Sequence, residues 1–435
     1  MRVIWIGYTT RYRKGGEGFK RAAHTLVKRK REACPDLEVR CEAVESKREF
    51  AAALQRVATE GKQIEELHFY GHSGMYGIMF GTTEWPEQFS PHEWRTLSIP
   101  FAPGARAYFH ACRTARWFAP FFARTFGVTA YGHHWYTTFS LHPDLYVWEA
   151  LDLSKEASLY VISCPGRKSH GLPGSLLKFS FMAKAYPMKS FGPTEPEGDT
   201  TYDRVAELYD RTFDDITVRE DEWKWLTTHL PAGRLRLLDI GCGNGALLER
   251  LAERLERGVG VDRSVRMIEL AQRRCARLSQ LEFRVVAEPR LDFPDASFDV
   301  VVSFMSFRYL DWDPILSEIR RVLVPGGRLL VVDMAAAPVG LKDLPQLLSS
   351  RLRHELQRHK HAEFARNLKR LVSTPEWQTM LKYNPIRAEH EYRWYLESRF
   401  PGRRMETLNT GWTSRLLAFD SGPVELGQLP PLTYP

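Results

Sequence analysis

An α/β protein of two domains is the fold class that the sequence predicts. Its 435 residues exceed what one hydrophobic core usually holds. In both halves, apolar runs of strand length alternate with amphipathic runs of helix length, the pattern of parallel sheets covered by helices. Between the halves, residues 166–198 lose that alternation and become rich in Pro, Gly and Ser, the composition of a linker. The expected organisation is a first domain over 1–165, a linker over 166–198, and a second domain over 199–435 with a helical lid insertion at 336–400.

The elements follow in order. RVIWIGY (2–8) is a short apolar strand, EGFKRAAHTLVKRKREA (17–33) has helical spacing, and LEVRCEAV (37–44) alternates as a strand does. KREFAAALQRVATEG (47–61) is an amphipathic helix with a glycine stop, and IEELHFYG (64–71) is a strand. A glycine-rich extended segment, MYGIMFG, precedes strand ARAYFHAC (105–112), helix ARWFAPFFARTFG (115–127) and strand VTAYG (128–132). In the second half, residues 204–230 read as helices. LRLLDIG (235–241), RGVGVD (257–262), LEFRVVA (281–287), FDVVVSF (298–304) and GRLLVVDM (327–334) read as strands separated by helices. A basic helical stretch occupies 341–371, and ETLNTGWTSRLLAFDSG (406–422) closes as two strands.

Composition narrows the function classes. The net charge of +8 is modest for this length and describes a solvated basic surface as readily as an acidic partner. No run approaches 18 apolar residues, so no membrane partner is expected. The apolar run at the start is too short for a signal peptide, and the six cysteines show neither paired zinc spacing nor a disulfide framework. A cytoplasmic location and no metal site are the expectations. The basic stretch RLRHELQRHKHAEFARNLKRL lacks the interleaved aromatic residues on which bases stack, so nucleic acid is not expected as a partner.

The most specific motif is LLDIGCGNGALLERL. Asp239 ends an apolar strand, and Gly241, Gly243 and Gly245 form the turn into a helix, where a bare backbone and unpaired N–H groups suit an anionic or polar ligand. Gly241-x-Gly243-x-x-Ala246 also satisfies the dinucleotide fingerprint, and Asp262 lies 262 − 241 = 21 positions on, suited to a ribose diol. The loop alone therefore points to an adenosine-containing cofactor, a tight strand–helix turn being the plain alternative.

The run FPDASFDVVVSFMSFRYLDWDPILSEIRRVLVPGGRLLVVDM decides between cofactors. Over residues 200–333 the chain resembles class I S-adenosylmethionine-dependent methyltransferases of the small-molecule branch. The resemblance implies a Rossmann-like fold, S-adenosyl-L-methionine as cofactor and a small-molecule or peptide methyl acceptor. It places Asp239 and Gly241 at the methionine end of the cofactor and Asp262 on the ribose hydroxyls. SFDVVVS matches the fourth strand, with Asp299 as its usual acid and Ser303, which closes it, as a cofactor-binding candidate. TYDRVAELYD resembles the family's N-terminal segment, where Tyr202 or Tyr209 covers the cofactor. One departure is VVAEPRLDFPD, whose spacing is shifted, with Glu288 as the candidate beside the adenine amine. Arg308 and Tyr309, with histidines of the basic insertion, are candidates on the acceptor side.

The first domain carries a weaker signal. In YGHSGMYG, Ser73 lacks the second glycine and the following helix of a nucleophile elbow, and His68 reads as a core residue. His72 stands just past one strand and Cys112 just past the next core strand at the mouth of a helix, 112 − 72 = 40 positions on. Such positions converge when the strands are neighbours. A helix N-terminus and an imidazole would then activate the thiol. YGHSG and FHACRTA resemble the caspase-like fold of clan CD cysteine peptidases, including the CHAT-type branch. That resemblance implies an N-terminal caspase-like α/β sandwich and a His72/Cys112 catalytic pair. The alternative is a regulatory or binding protein whose caspase-like domain is an inactive recognition module.

Overall fold

The computed structural model describes residues 1–147, 157–164, 184–194, 202–286, 289–384, 386–425 and 429. The chain divides into two compact units, 1–197 with 433–435, and 198–432.

In the first unit, β1 (Arg2–Tyr8), β2 (Glu38–Ala43), β3 (Gln63–Tyr70), β4 (Phe101–His110), β5 (Thr129–Gly132) and β6 (Lys189–Phe191) form one sheet of order β6-β5-β4-β3-β1-β2. The first five strands are parallel and β6 is antiparallel to β5. Strand β1, flanked by β3 and β2, is buried along six of its seven residues, which is why it reads as a continuous apolar run rather than an alternating one. Helix α1 (Gly16–Ala33) covers one face, packing Phe19, Ala22, Ala23 and Val27 on Ile4, Ile6 and Tyr70. The other face meets α2 (Lys47–Thr59), α3 (Pro91–Thr96) and α4 (Phe118–Phe126) through Phe50, Trp94, Phe118 and Phe122. Ser46 caps α2 by accepting from Glu49 N, and Gly127, at φ 67°, ends α4. Edge strand β2 alternates charge: Arg40 bonds Glu38 at 2.6 Å and also pairs with Glu60.

The α1-side face carries a ladder of rings. Register aligns His68 with Tyr108 and Tyr70 with His110, and these pairs stack at 4.5 and 4.0 Å, with Tyr108 stacked in turn on Tyr131. His68 bonds Glu66 at 3.0 Å and His110 at 3.2 Å. Against the burial that would raise it, His68 and Lys30 hold the Glu66 carboxyl down to about 2. His68 is thus a satisfied member of the core.

In the second unit the described helices and strands build a seven-stranded sheet. Its strands are β7 (Leu235–Ile240), β8 (Leu255–Asp262), β9 (Leu281–Val285), β10 (Phe298–Phe304), β11 (Leu323–Ala336), β12 (Glu406–Thr410) and β13 (Ser414–Asp420), in the order β9-β8-β7-β10-β11-β13-β12. Five strands are parallel, and the closing pair β13 and β12 is antiparallel. The strand order reverses at β7, so a crevice opens beyond the carboxyl ends of β7, β8 and β10, where a doubly wound sheet binds ligands. Helices α5 (Ala206–Thr212), α6 (Glu220–His229), α7 (Ala246–Leu251), α8 (Val265–Arg274) and α9 (Trp312–Val322) flank the sheet. Edge strand β9 carries Glu282 and Arg284, and edge strand β12 is bulged between Thr407 and Asn409.

Two boundaries differ from the sequence pattern. Strand β11 already begins at Leu323, ahead of Pro-Gly-Gly, because Gly326 takes φ 79° and turns the chain without ending its pairing. The basic stretch is two helices, α10 (Leu344–Lys360) and α11 (Ala362–Val372), broken at His361; α12 (Pro375–Tyr383) and α13 (Glu389–Arg399) follow. Helix α11 packs onto the start of the unit, where Leu371 meets Val205 and Phe213.

Candidate functional site

A cleft of about 780 Å³, counting its open mouth, lies at the strand ends where the order reverses. Tyr202, Tyr209, Gly241, Gly243 and Asp262 line it together. The turn after β7 needs its glycines: Gly241 has φ 78°, and a Cβ there would stand 2.3 Å from Ser306 Cβ. Gly245, at φ 77°, packs against Ala271 and Phe283 and supports the turn from behind. Ser303 also lies behind the wall, fully buried, its hydroxyl 2.7 Å from that of Ser306. Asp299 is at the opposite end of β10, bonded to Arg236 at 2.7 Å, and takes no part in the cleft. Glu288 lies outside the described residues.

Asp262 lines the cleft, and a second carboxyl, Asp239, is buried behind that lining. Asp262 ends β8 and accepts from Gly243 N at 3.0 Å and Ser264 N at 2.9 Å. Asp239 ends β7, is 1% exposed, and its Oδ1 has no hydrogen-bond partner. Burial, and then the neighbouring Asp262 charge, push the Asp239 carboxyl up to about 8. An orphaned acid of this kind is uncomfortable unless a cationic or donor-rich ligand completes it.

The segment Tyr202–Thr212 is tied across the cleft at three places. Ser264 Oγ donates to Asp203, Asn244 Nδ2 donates to Asp210 at 2.8 Å, and the hydroxyls of Tyr202 and Tyr309 meet at 3.0 Å. Sequence reasoning overlooked Met305, Ser306 and Leu310 as lining residues. The turn after β10 places them there, and its positive φ at Met305, 62°, has no glycine to announce it.

Residues 238–331 match the family model described as a methyltransferase domain. That matched stretch, within the C-terminal unit, is similar to a methyltransferase domain. The chain is 35% identical over 144 residues to a demethylmenaquinone methyltransferase of Clavibacter sepedonicus, covering 32% of this chain and 59% of that protein. It is also 35% identical over 174 residues to the 27-O-demethylrifamycin SV methyltransferase of Amycolatopsis mediterranei, covering 34% and 63%. The chain thus spans about three-fifths of the length of these curated relatives. Among solved structures, an S-adenosylmethionine-dependent methyltransferase from Mesorhizobium loti is 27% identical at a TM-score of 0.25, covering 26% of this chain and 53% of that one.

The residues of the methyltransferase domain fit S-adenosyl-L-methionine. Asp262, at the cleft wall, has the chemistry to hold a ribose diol, the bare glycine turn admits close backbone approach, and the orphaned Asp239 behind them adds negative potential suited to a cationic ligand. Among the described residues no group of three or more His, Cys, Asp or Glu could hold a metal, and no helix is long and apolar enough to cross a membrane.

In the first unit, β3 and β4 are parallel neighbours, so His72 and Cys112 follow adjacent strand ends. Ser73 Oγ donates to Cys112 O, which links the two turns directly. His72 Nε2 donates to Lys14 O at 2.9 Å, leaving Nδ1 as the accepting nitrogen, and its ring lies against Phe19 and Tyr12. Cys112 Sγ is 3.2 Å from Thr137 Oγ1 and accepts from Thr137 N at 3.3 Å. The thiol's hydrogen bonds in this arrangement run to Thr137, with no bond joining it to His72.

Proposed function

We propose that the second unit binds S-adenosyl-L-methionine and catalyses methyl transfer to a small-molecule or peptide acceptor in a reducing, cytoplasmic setting. The observation that carries this reading is the orphaned Asp239 beneath a glycine turn, with Asp262 at the next strand end. When bound, the cofactor supplies a methyl group made electrophilic by its sulfonium. Asp262 would hold the ribose hydroxyls, and Asp239 would face the positive end. Gly241 and Gly243 would let the backbone approach, while Tyr202 and Tyr209 would exclude water from above. The expected result by isothermal titration of the full chain is one site for S-adenosyl-L-methionine. Asp262→Ala should weaken it by about 100-fold, the loss of two charge-assisted bonds. No heat from the intact protein would sink this reading.

A second reading concerns the first unit. The parallel adjacency of β3 and β4, with His72 and Cys112 following their ends, supports a caspase-like arrangement and a cysteine peptidase pair. For that chemistry the His72 ring would turn from Lys14 O toward the thiol that Thr137 now holds. A thiol-directed peptidase probe should then label Cys112 ahead of the other five cysteines, and His72→Ala should slow that labelling about 100-fold, the scale of lost general-base assistance. Labelling that ignores His72 would instead favour an inactive recognition module.

A further inference from the structure

Tyr202 and Tyr309 both line the cleft, and their hydroxyls lie 3.0 Å apart. One donates to the other, so the pair retains one hydrogen to donate outward, polarised by the bond behind it. Burial, and then Tyr309, push the Tyr202 phenol well above its ordinary range, so it keeps its proton and acts as a donor. The Arg308 guanidinium carbon sits 4.6 Å from the Tyr309 ring centroid and, paired with Asp333, fixes the position of that ring.

What the cleft lacks matters equally. Among the described lining residues the charged ones are Asp262 and Arg263, and no histidine is present. Asp262 already accepts two backbone N–H groups at the cofactor end. Such a lining offers no base to deprotonate a neutral alcohol and no acid to face an ammonium. Paired hydroxyl donors in an otherwise apolar wall of Phe304, Met305 and Leu310 suit a developing or formed oxyanion.

We propose that the methyl acceptor is a planar phenol or enol bound as its oxyanion, with the Tyr202–Tyr309 pair donating to that oxygen. This rests on the methyl-transfer reading above. The acceptor loses its proton to solvent before it is bound. One oxygen lone pair accepts the tyrosine hydrogen, and another forms the O–CH3 bond as the cofactor's C–S bond breaks, leaving that electron pair on sulfur. No proton then remains to be moved, so the described lining residues need supply no base.

The test uses the full chain saturated with S-adenosyl-L-homocysteine, whose binding is first checked by calorimetry. 4-Nitrophenol is the probe, because its phenolate absorbs visibly and its phenol does not; 4-nitroanisole has the same shape without the ionisable oxygen. The phenolate should bind about tenfold more tightly than 4-nitroanisole, and the bound probe should ionise at correspondingly lower pH. Tyr309→Phe should remove most of that preference while leaving homocysteine-cofactor binding and 4-nitroanisole binding in place, and Tyr202→Phe should remove the preference as well. A phenolate bound no more tightly than 4-nitroanisole, or a preference that survives both substitutions, overturns the proposal. Failure of the homocysteine cofactor to bind takes the methyl-transfer reading down with it, so the two failures are told apart.

Discussion

Asp239→Asn is expected to stabilise the ligand-free protein at pH 8 while removing its affinity for S-adenosyl-L-methionine. The carboxyl sits 1% exposed with Oδ1 unpartnered, and burial followed by the Asp262 charge raises it to about 8. In the unfolded chain an aspartate titrates near ~4. Because the folded value is the higher one, the folded state retains a proton that the unfolded state has lost. The stability contributed by this group is therefore fully present below pH ~4 and is lost as pH rises through 8. Four units correspond to roughly 5 kcal/mol at most. An amide at this position removes the charge but keeps a buried polar group, so a gain of about 3 kcal/mol at pH 8 is expected, shrinking to nothing near pH 5. Melting curves of both proteins from pH 5 to 9 measure it, and parallel pH profiles would overturn it. Calorimetry on the same samples should show cofactor affinity reduced by about 100-fold or more, since the positive end of the ligand loses its counter-charge. In the unmodified protein, binding at pH 7 should release protons and tighten as pH rises toward 8, because the ligand favours the ionised carboxyl. Titrations in buffers of different ionisation enthalpy would register that release.

Asp333→Ala carries the second large effect. Asp333 is fully buried and pairs with the Arg308 guanidinium; its Oδ2 accepts Arg308 N at 2.6 Å and Tyr392 Oη at 2.8 Å. Removing it takes the bonded carboxylate from a guanidinium that is itself only 7% exposed, and from a phenol that burial and Asp333 hold far above its ordinary range. Breaking one side of such a pair costs about 3–5 kcal/mol, more than the pair adds over an apolar replacement. Denaturant unfolding should show that loss, and Asp333→Asn, which keeps two acceptor–donor contacts, should lose roughly half as much. A change below ~1 kcal/mol in the alanine variant would mean that Arg308 finds another partner. The same network anchors the turn Phe307–Tyr309, so the acceptor-side preference of the cleft should weaken together with stability.

The cofactor side was legible in the sequence because its requirements are local. A glycine at positive φ, an acid ending the next strand and the strand order all follow from short-range rules, and Gly241, Gly243 and Asp262 converge as their spacing suggests. Ser303 and Gly245 were read as ligand contacts but support the wall instead, since period-two alternation and turn geometry turn them away from the cleft. The acceptor side was less legible. Its key contact joins Tyr202 to Tyr309, 107 positions apart, and no periodicity encodes a pairing of that range. Asp333 reads in the sequence as the polar end of a strand, and only packing shows that Arg308 and Tyr392 meet it. In the first unit the strand adjacency was foreseeable, whereas the capture of the Cys112 thiol by Thr137 was not.

The outer strands of both sheets bear on a different property, how the protein behaves at high concentration. An exposed strand edge offers unpaired backbone groups on which another chain can polymerise. Here β2 sets Glu38, Arg40 and Glu42 along its length, β9 sets Glu282 and Arg284, and β12 is broken by its bulge. A second strand docking on any of them would have to bury charges or accommodate a register shift. Colloidal solubility is thereby built into the edges themselves, independent of the chemistry performed between them.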